Sequence, residues 1–571
     1  MRLLPLTACL SPGFVRSFSD LTKLGFFMKI IAATGLLAAL ALTACNPSIP
    51  EEAHAATAPE AASAEKVEAH VRFLADDLLE GREAGTRGYD IAALYVAEQF
   101  RAYGLQPGGD EDSYMQQVPL FRYQLDQAAP QSLTVTEGAD LPLELGSDYL
   151  ISASSQVEQG LVEAPAVFVG YGFIAPDGSR DDFDGVDLEG KIAVIFRDAP
   201  SDLNTEERAH YSSTSYQRLS EAGAVGVVTL YHPVAQERYS FERRAAMDRM
   251  GRASMTWVDA DGNAHSGAPN LQAGATMSIE GAKKLIEAAG RDYDALVEET
   301  VTGTQPFELG LTLRIEANST HEEITSPNVA AILPGTDETL AGEYVVLSAH
   351  LDHEGVKPSF NPNEDTLFNG AMDNASGTSA LLEVARLLSL DPPKRSVVFV
   401  AVTAEEKGLV GSDYYARFPT VPAEGVVANV NLDMPIMTYE FDDVVAFGTE
   451  RSSLYEPVKA AVEGAGLTLS PDPNPDLGLF TRSDHYSWVK QGVPATYLVP
   501  GHANGGGEAQ AKFLAEDYHR PSDEADQLNF NALARFAGVK ADIARSVANM
   551  EERPSWNEGD FFGDLFAEGG E

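Results

Sequence analysis

The sequence predicts an α/β protein: a mixed, mostly parallel central sheet flanked by helices, with a small β-rich module inserted into it. Three observations carry this prediction. Near-continuous β-branched runs ("NVAAILPG", "EYVVLSAH", "RSVVFVAVTA", "VVANVNLDM", "ATYLVP") alternate with amphipathic stretches such as "GTSALLEVARLLSL" and "FNALARFAGVKADIARSVANM". Strands apolar on both faces belong in a parallel sheet covered by helices on either side. Residues 128–315 have another texture, with short β-rich runs between Gly- and Asp-rich turns and one helical stretch, "SYQRLSEAG". Finally, 571 residues exceed what a single core serves.

Taken in order, residues 1–45 read as an upstream extension and a signal peptide. Lys29 precedes an apolar run from Ile30 to Leu42, too short to span a bilayer but of signal-peptide length. The ending Leu42-Thr43-Ala44-Cys45 resembles a bacterial lipobox, in which the cysteine is acylated and becomes the mature N-terminus; Met28 is then favoured over Met1 as the start. That implies an exported lipoprotein of the cell envelope, held to the membrane through its lipid alone. Asn46 lacks the aspartate that goes with inner-membrane retention, which points to the outer membrane, facing the periplasm. Residues 46–63 are Ala-, Glu- and Pro-rich, a flexible linker. Helical periodicity then runs through "VEAHVRFLADDLLEG" and "GYDIAALYVAEQFRAYG", so residues 64–127 form the first part of the main domain and 316–550 its second. The acidic, Gly-rich tail 551–571 reads as disordered.

Charge and cysteine narrow the chemistry. A net charge of −46 excludes a nucleic-acid partner, which demands a basic footprint. Cys9 and Cys45 are the only cysteines, so any metal must be held by His, Asp and Glu. Strands end in such groups: His350 and Asp352, then Glu405 and Glu406, then Asp433. Asp373 stands just before a helix, and Asp484, His485, His519 and Asp523 follow. In open α/β sheets functional groups collect at strand C-terminal ends. Two histidines and three carboxylates exceed what one tetrahedral ion takes and fit two ions sharing a carboxylate, roughly 3.5–4 Å apart. Asp373, preceding a tight turn into a helix, is the natural bridge. Adjacent strand residues point to opposite sides, so Glu405 and Glu406 divide into one ligand and one free base.

The segments "AHLDH", "DNASGTSALLEVAR", "AEEKGLVGS", "NLDM", "SDHYSW" and "YHRPSDE" resemble, in this order, the motifs of the co-catalytic di-zinc aminopeptidases, a family that includes glutamate carboxypeptidase-like members. The run "GYGF…DLEGKIAVIF…AGAVGVVTLY" resembles the protease-associated domain inserted in several exopeptidases. The resemblance implies a zinc-exopeptidase fold, two zinc ions per chain and peptide substrates. It places His350, Asp373 and Asp433 around one ion and Asp373, Glu406 and His519 around the other. It makes Glu405 the general base and Asp352 the carboxylate that orients His350. Asp484 and His485 fall near the substrate by the same comparison, or hold a turn; Arg482 is expected to anchor a substrate carboxylate or to form an internal ion pair. Asp523 is placed to orient His519 or to cap a helix, while His353 is expected to stay off the metals and His502 to be a loop residue. The rival readings are a carboxypeptidase of the same fold and a non-catalytic, receptor-like binding protein; the latter predicts eroded ligands, whereas every position is intact.

Overall fold

The computed structural model describes residues 60–567 apart from 250, 252, 304 and 360, so the signal peptide, Cys45 and most of the linker lie outside it. Four consecutive parallel strands form its centre: Ala495–Pro500, Val426–Asn431, Tyr344–His350 and Ser396–Val402. Antiparallel strands flank them, Asp443–Phe447 on one side and the 27-residue strand Phe307–Leu333 on the other. Period-two alternation sorts the side chains between two helical layers. Val345, Leu347, Ala349, Val397, Phe399 and Ala401 pack under the helices Ser376–Leu390 and Phe530–Ala548. Val346, Val398, Val400 and Val402 face the opposite layer, which includes Tyr415 and Trp488. The β-branched runs are therefore buried twice, as their composition requires.

The strand Phe307–Leu333 is shared by two sheets. Its first half pairs with Gln131–Glu137 and Gln159–Phe168, and its second half with Met115–Leu125 and Ser396–Val402. The hand-over falls at Asn318 and Ser319, so the expected boundary at 315 lies inside one continuous strand. The second sheet continues through Ile192–Phe196, Gly226–Leu230, Ala273–Met277 and Tyr149–Ser152.

Two expectations are corrected. The insert is not simply β-rich with one helix: helices cover Thr205–Ser213, Ser215–Glu221, Pro233–Arg238, Phe241–Arg249, Ile279–Ala288 and Tyr293–Thr302. Thr205–Ser213 and Phe241–Arg249 each bury only two side chains, which leaves little apolar period to read. The C-terminal tail is ordered through residue 567. Asp560 caps the helix Phe561–Phe566, and Phe562 is fully buried against Phe480 and Tyr486. Its aromatic residues outweigh the acidic composition.

Candidate active site

The parallel strands deliver their C-terminal ends to one edge of the sheet. His350 is the last residue of its strand, Glu405 and Glu406 follow Val402 by three and four positions, and Asp433 lies two beyond Asn431. The turn before helix Ser376–Leu390 supplies Asp373, and the loop after helix Gly506–Glu516 supplies His519.

At the centre Asp373 offers one oxygen to each histidine. His350 Nε2 lies 3.2 Å from Asp373 Oδ1 and 3.0 Å from Asp433 Oδ1. His519 Nε2 lies 3.1 Å from Asp373 Oδ2 and 3.2 Å from Glu406 Oε2. Two further residues join them. His353, expected to stay apart, is fully buried with Nδ1 2.8 Å from Glu406 Oε1. Glu354 sits 3.6 Å from His519 Nδ1. The chain after His350 has left the strand, so no periodicity marked these two; the run His350 to Glu354, titratable at four of five positions, was the available signal. Metal-capable atoms fall into three groups: His350, Asp373, Asp433; His353, Asp373, Glu406; and Glu354, Glu406, His519.

The donor set fits zinc. Oxygen and imidazole ligands without sulfur suit it, and the shared carboxylate between two histidines matches a paired site. Glu406 Oε1 and His353 Nδ1 have only each other, and His353 Nε2 is buried without a hydrogen-bond partner among the described residues, a shortfall that a cation would remove. Electrostatics agree. Burial opposes charge on the imidazoles, yet Asp433 and Glu405 raise His350 well above its ordinary value. Likewise Glu406 and Asp373 lift His519 to about 10 against the effect of burial. Protons on these rings do part of the neutralising that two dications would do. Glu405 is half-buried, and burial pushes its carboxyl well above the usual range, the nearby Asp433 adding to the effect.

The supporting bonds explain how distant segments converge. Asp352 is buried and pushed to about 6 by desolvation. Its carboxylate accepts from the backbone N–H groups of Glu405 (3.0 Å) and Glu406 (3.3 Å). His350 Nδ1 instead lies 3.1 Å from the Asp352 backbone carbonyl. The expected carboxylate–imidazole bond is thus replaced: the strand turns so sharply after His350 that the main chain reaches the ring first. Asp523 likewise holds the Asp373 turn, accepting from Met372 N (2.8 Å) and Asp373 N (3.0 Å), and does not orient His519. Asn374 Oδ1 accepts from Gly377 N and Met434 N, and its Nδ2 donates to Leu432 O, joining the Asp373 and Asp433 loops. Ser483 donates to Asp433 Oδ2 at 2.5 Å, and Tyr497 donates to its carbonyl at 3.1 Å. From the N-terminal part, fully buried Arg82 donates to the carbonyls of Leu74, Leu351, Asn369 and Gly370.

A cavity of about 330 Å³ opens onto His350, Asp373, Glu405 and Asp433. One wall is apolar, with Ile436, Val445, Phe447, Leu479 and Val499; Arg482 and His502 also line it. Asp484 and His485, placed near the substrate by the sequence, are fully buried and do not line this cavity. His485 packs on Tyr497 with ring centroids 5.2 Å apart, and desolvation drives it down to about 3. Desolvation raises Asp484 to about 7, His350 opposing it. They open the helix His485–Val489, which is buried throughout.

Comparison with known proteins places residues 328–544 on the profile described as "Peptidase family M28". "Aminopeptidase YwaD" of Bacillus subtilis (strain 168) is 25% identical over 479 residues, covering 83% of this chain and 82% of that protein. An "Aminopeptidase" of Pseudomonas aeruginosa is 27% identical over 474 residues, covering 79% of this chain and 74% of that protein. Among solved structures, "Aminopeptidase from Aneurinibacillus sp. strain AM-1" aligns over 86% of this chain and 95% of that one, at 20% identity and a TM-score of 0.49.

Proposed function

We propose that this chain, whose residues 328–544 match the profile of peptidase family M28 and whose buried His, Asp and Glu side chains cluster for metal, is a zinc-dependent aminopeptidase that removes N-terminal residues from peptides. The observation that carries the reading is Asp373, with one oxygen toward His350 and the other toward His519. His350, Asp373 and Asp433 would hold one zinc ion, and Asp373, Glu406 and His519 the other, with His353 in reach of the second through Asp373 and Glu406. When bound, the pair supplies Lewis acidity toward the scissile carbonyl and positive charge for the oxyanion that develops. Glu405 lines the cavity, and its main chain is fixed by Asp352 while its carboxylate remains free to carry a proton. It takes that proton from the attacking water and returns it to the leaving amine. The surrounding carboxylates favour the substrate's terminal ammonium, and the apolar wall receives its first side chain.

Leucine p-nitroanilide and its N-acetyl derivative, offered to protein beginning at Asn46, test the reading. Hydrolysis of the free amine alone, lost with chelator and restored by zinc, is expected. Cleavage of N-blocked dipeptides with a free carboxylate would assign a carboxypeptidase instead.

We also propose that the protein is an exported lipoprotein acylated at Cys45. The apolar run ending in Leu42-Thr43-Ala44-Cys45 supports this, and no helix among the described residues is long and apolar enough to cross a membrane. In a bacterial host, Cys45→Ala should move the protein from the membrane fraction to the soluble one; unchanged fractionation refutes the anchor.

A further inference from the structure

A second cavity, of about 850 Å³, lies between the inserted module and the stretch Asp476–Arg482, and shares Leu477 and Arg482 with the metal-lined one. In a chain of net charge −46 its lining is basic: Arg197, Arg208, Arg238, Arg244 and Arg482, against only Asp198 and Asp476. Asp198 is already engaged, with Arg208 at 3.1 Å, Arg238 at 3.6 Å and His232 at 3.8 Å. Arg197, Arg244 and Arg482 have no carboxylate within ion-pair distance among the described residues. Arg197 lies only over the Tyr231 ring, 5.9 Å from its centroid, and Arg244 has a Ser152 hydroxyl at 3.5 Å. Arg208 Nε is buried and unpartnered.

Guanidinium groups gathered in one concavity repel one another unless an anion lies between them, and their planar forks match carboxylates. The walls are pre-set. Glu206, on the insert helix Thr205–Ser213, pairs with Arg451, which also holds Asp560 at 2.9 Å. His210 Nδ1 meets Tyr486 Oη at 2.6 Å. The helix that carries Arg208 is therefore fixed against the catalytic domain.

We propose that this cavity is a carboxylate subsite for the far end of the substrate: a peptide whose ammonium terminus lies among the metal-site carboxylates places a carboxylate among Arg197, Arg244 and Arg482. This rests on the aminopeptidase reading and adds to it a role for the insert and a substrate class, short peptides ending in negative charge. Terminal and side-chain carboxylates share the chemistry, and the test separates them.

The parent enzyme is given leucine p-nitroanilide, Leu-Ala-Ala, its amide, and Leu-Ala-Asp-amide. No hydrolysis of the nitroanilide overturns the aminopeptidase reading itself. With that activity present, kcat/KM for Leu-Ala-Ala should exceed that for its amide about tenfold, through KM. The ratio should fall toward one in Arg197→Gln/Arg244→Gln and recover in part with lysine at both positions. A ratio near one in the parent overturns the subsite alone. Should the double variant misfold, calorimetry on zinc-loaded Glu405→Gln protein decides. Leu-Ala-Ala binding about tenfold more tightly than the amide, weakened by salt, supports the site; equal binding refutes it. Leu-Ala-Asp-amide binding as tightly as Leu-Ala-Ala extends the site to side-chain carboxylates, whereas binding like the plain amide restricts it to the main-chain terminus.

Discussion

Glu405 and Glu406 are neighbours in sequence with different surroundings. Glu406 faces His519 and His353, whereas Glu405 looks into the cavity. Strand alternation suggested one ligand and one free base, but the strand ends at Val402 and Ala404 has φ +53°, so it is the turn, with Asp352 holding both amides, that sends the two side chains apart. Glu405→Gln keeps the shape and removes the proton acceptor, so kcat should drop about 10²- to 10⁴-fold with two zinc ions still bound. Glu406→Gln should instead lower zinc content. Metal analysis beside steady-state kinetics checks both, and loss of zinc from Glu405→Gln would reverse the assignment. Residue reading was weaker where the main chain turns. The position of Asp352 was legible but its bonding was not, since no sequence pattern tells whether a carboxylate or a carbonyl reaches an imidazole.

Among the elements, the turn that presents Asp373 depends on contacts that no propensity encodes. A Cβ at Gly377 would stand 2.0 Å from Asn374 Oδ1 and 2.5 Å from Leu432 O, the atoms that tie the Asp373 and Asp433 loops together. Gly377→Ala should therefore keep the helical circular dichroism and lower zinc affinity about 10- to 100-fold, as does loss of bonds that orient ligands. Competition with a fluorescent chelator measures it; unaltered affinity would show the loops tolerate the shift. The five strands quoted from the sequence were legible because they are apolar on both faces. The tail was not, because composition averages over Phe562, whose single side chain fills an aromatic pocket. Phe562→Ala should cost about 3–5 kcal/mol, read from the denaturation midpoint, and Phe562→Leu clearly less.

For the whole molecule, three buried histidines that hold no metal make a contribution to stability that acid removes. His70 and His210 are each driven to about 4, and His485 to about 3, by desolvation. Glu383 opposes the shift at His70 while Lys66 adds to it; Arg218 and Lys490 add to it at His210, and Lys540 at His485. His70 lies within hydrogen-bond reach of Tyr95 and Tyr103, and His210 of Tyr486. Each folded value is below the ordinary 6.5, so between pH 6.5 and about 4 the unfolded chain takes up protons that the folded one refuses. Their contribution is complete above pH 6.5, falls as pH drops toward 4, and levels off below the folded values. The limiting slope is about 1.4 kcal/mol per pH unit for each histidine. The net charge of −46 acts in the opposite sense, because protonating carboxylates relieves self-repulsion as pH falls. Absolute stability is thus a poor discriminator, and the difference between parent and variant is the sharp one. His70→Gln, which keeps a neutral polar side chain beside the two tyrosines, should lose stability at pH 7.5 and narrow the gap to the parent at pH 5. Denaturant titrations of the zinc-loaded proteins at both values measure this. A gap that stays constant between them would mean that His70 is charged in the fold and that its burial between Tyr95 and Tyr103 does not exclude the proton.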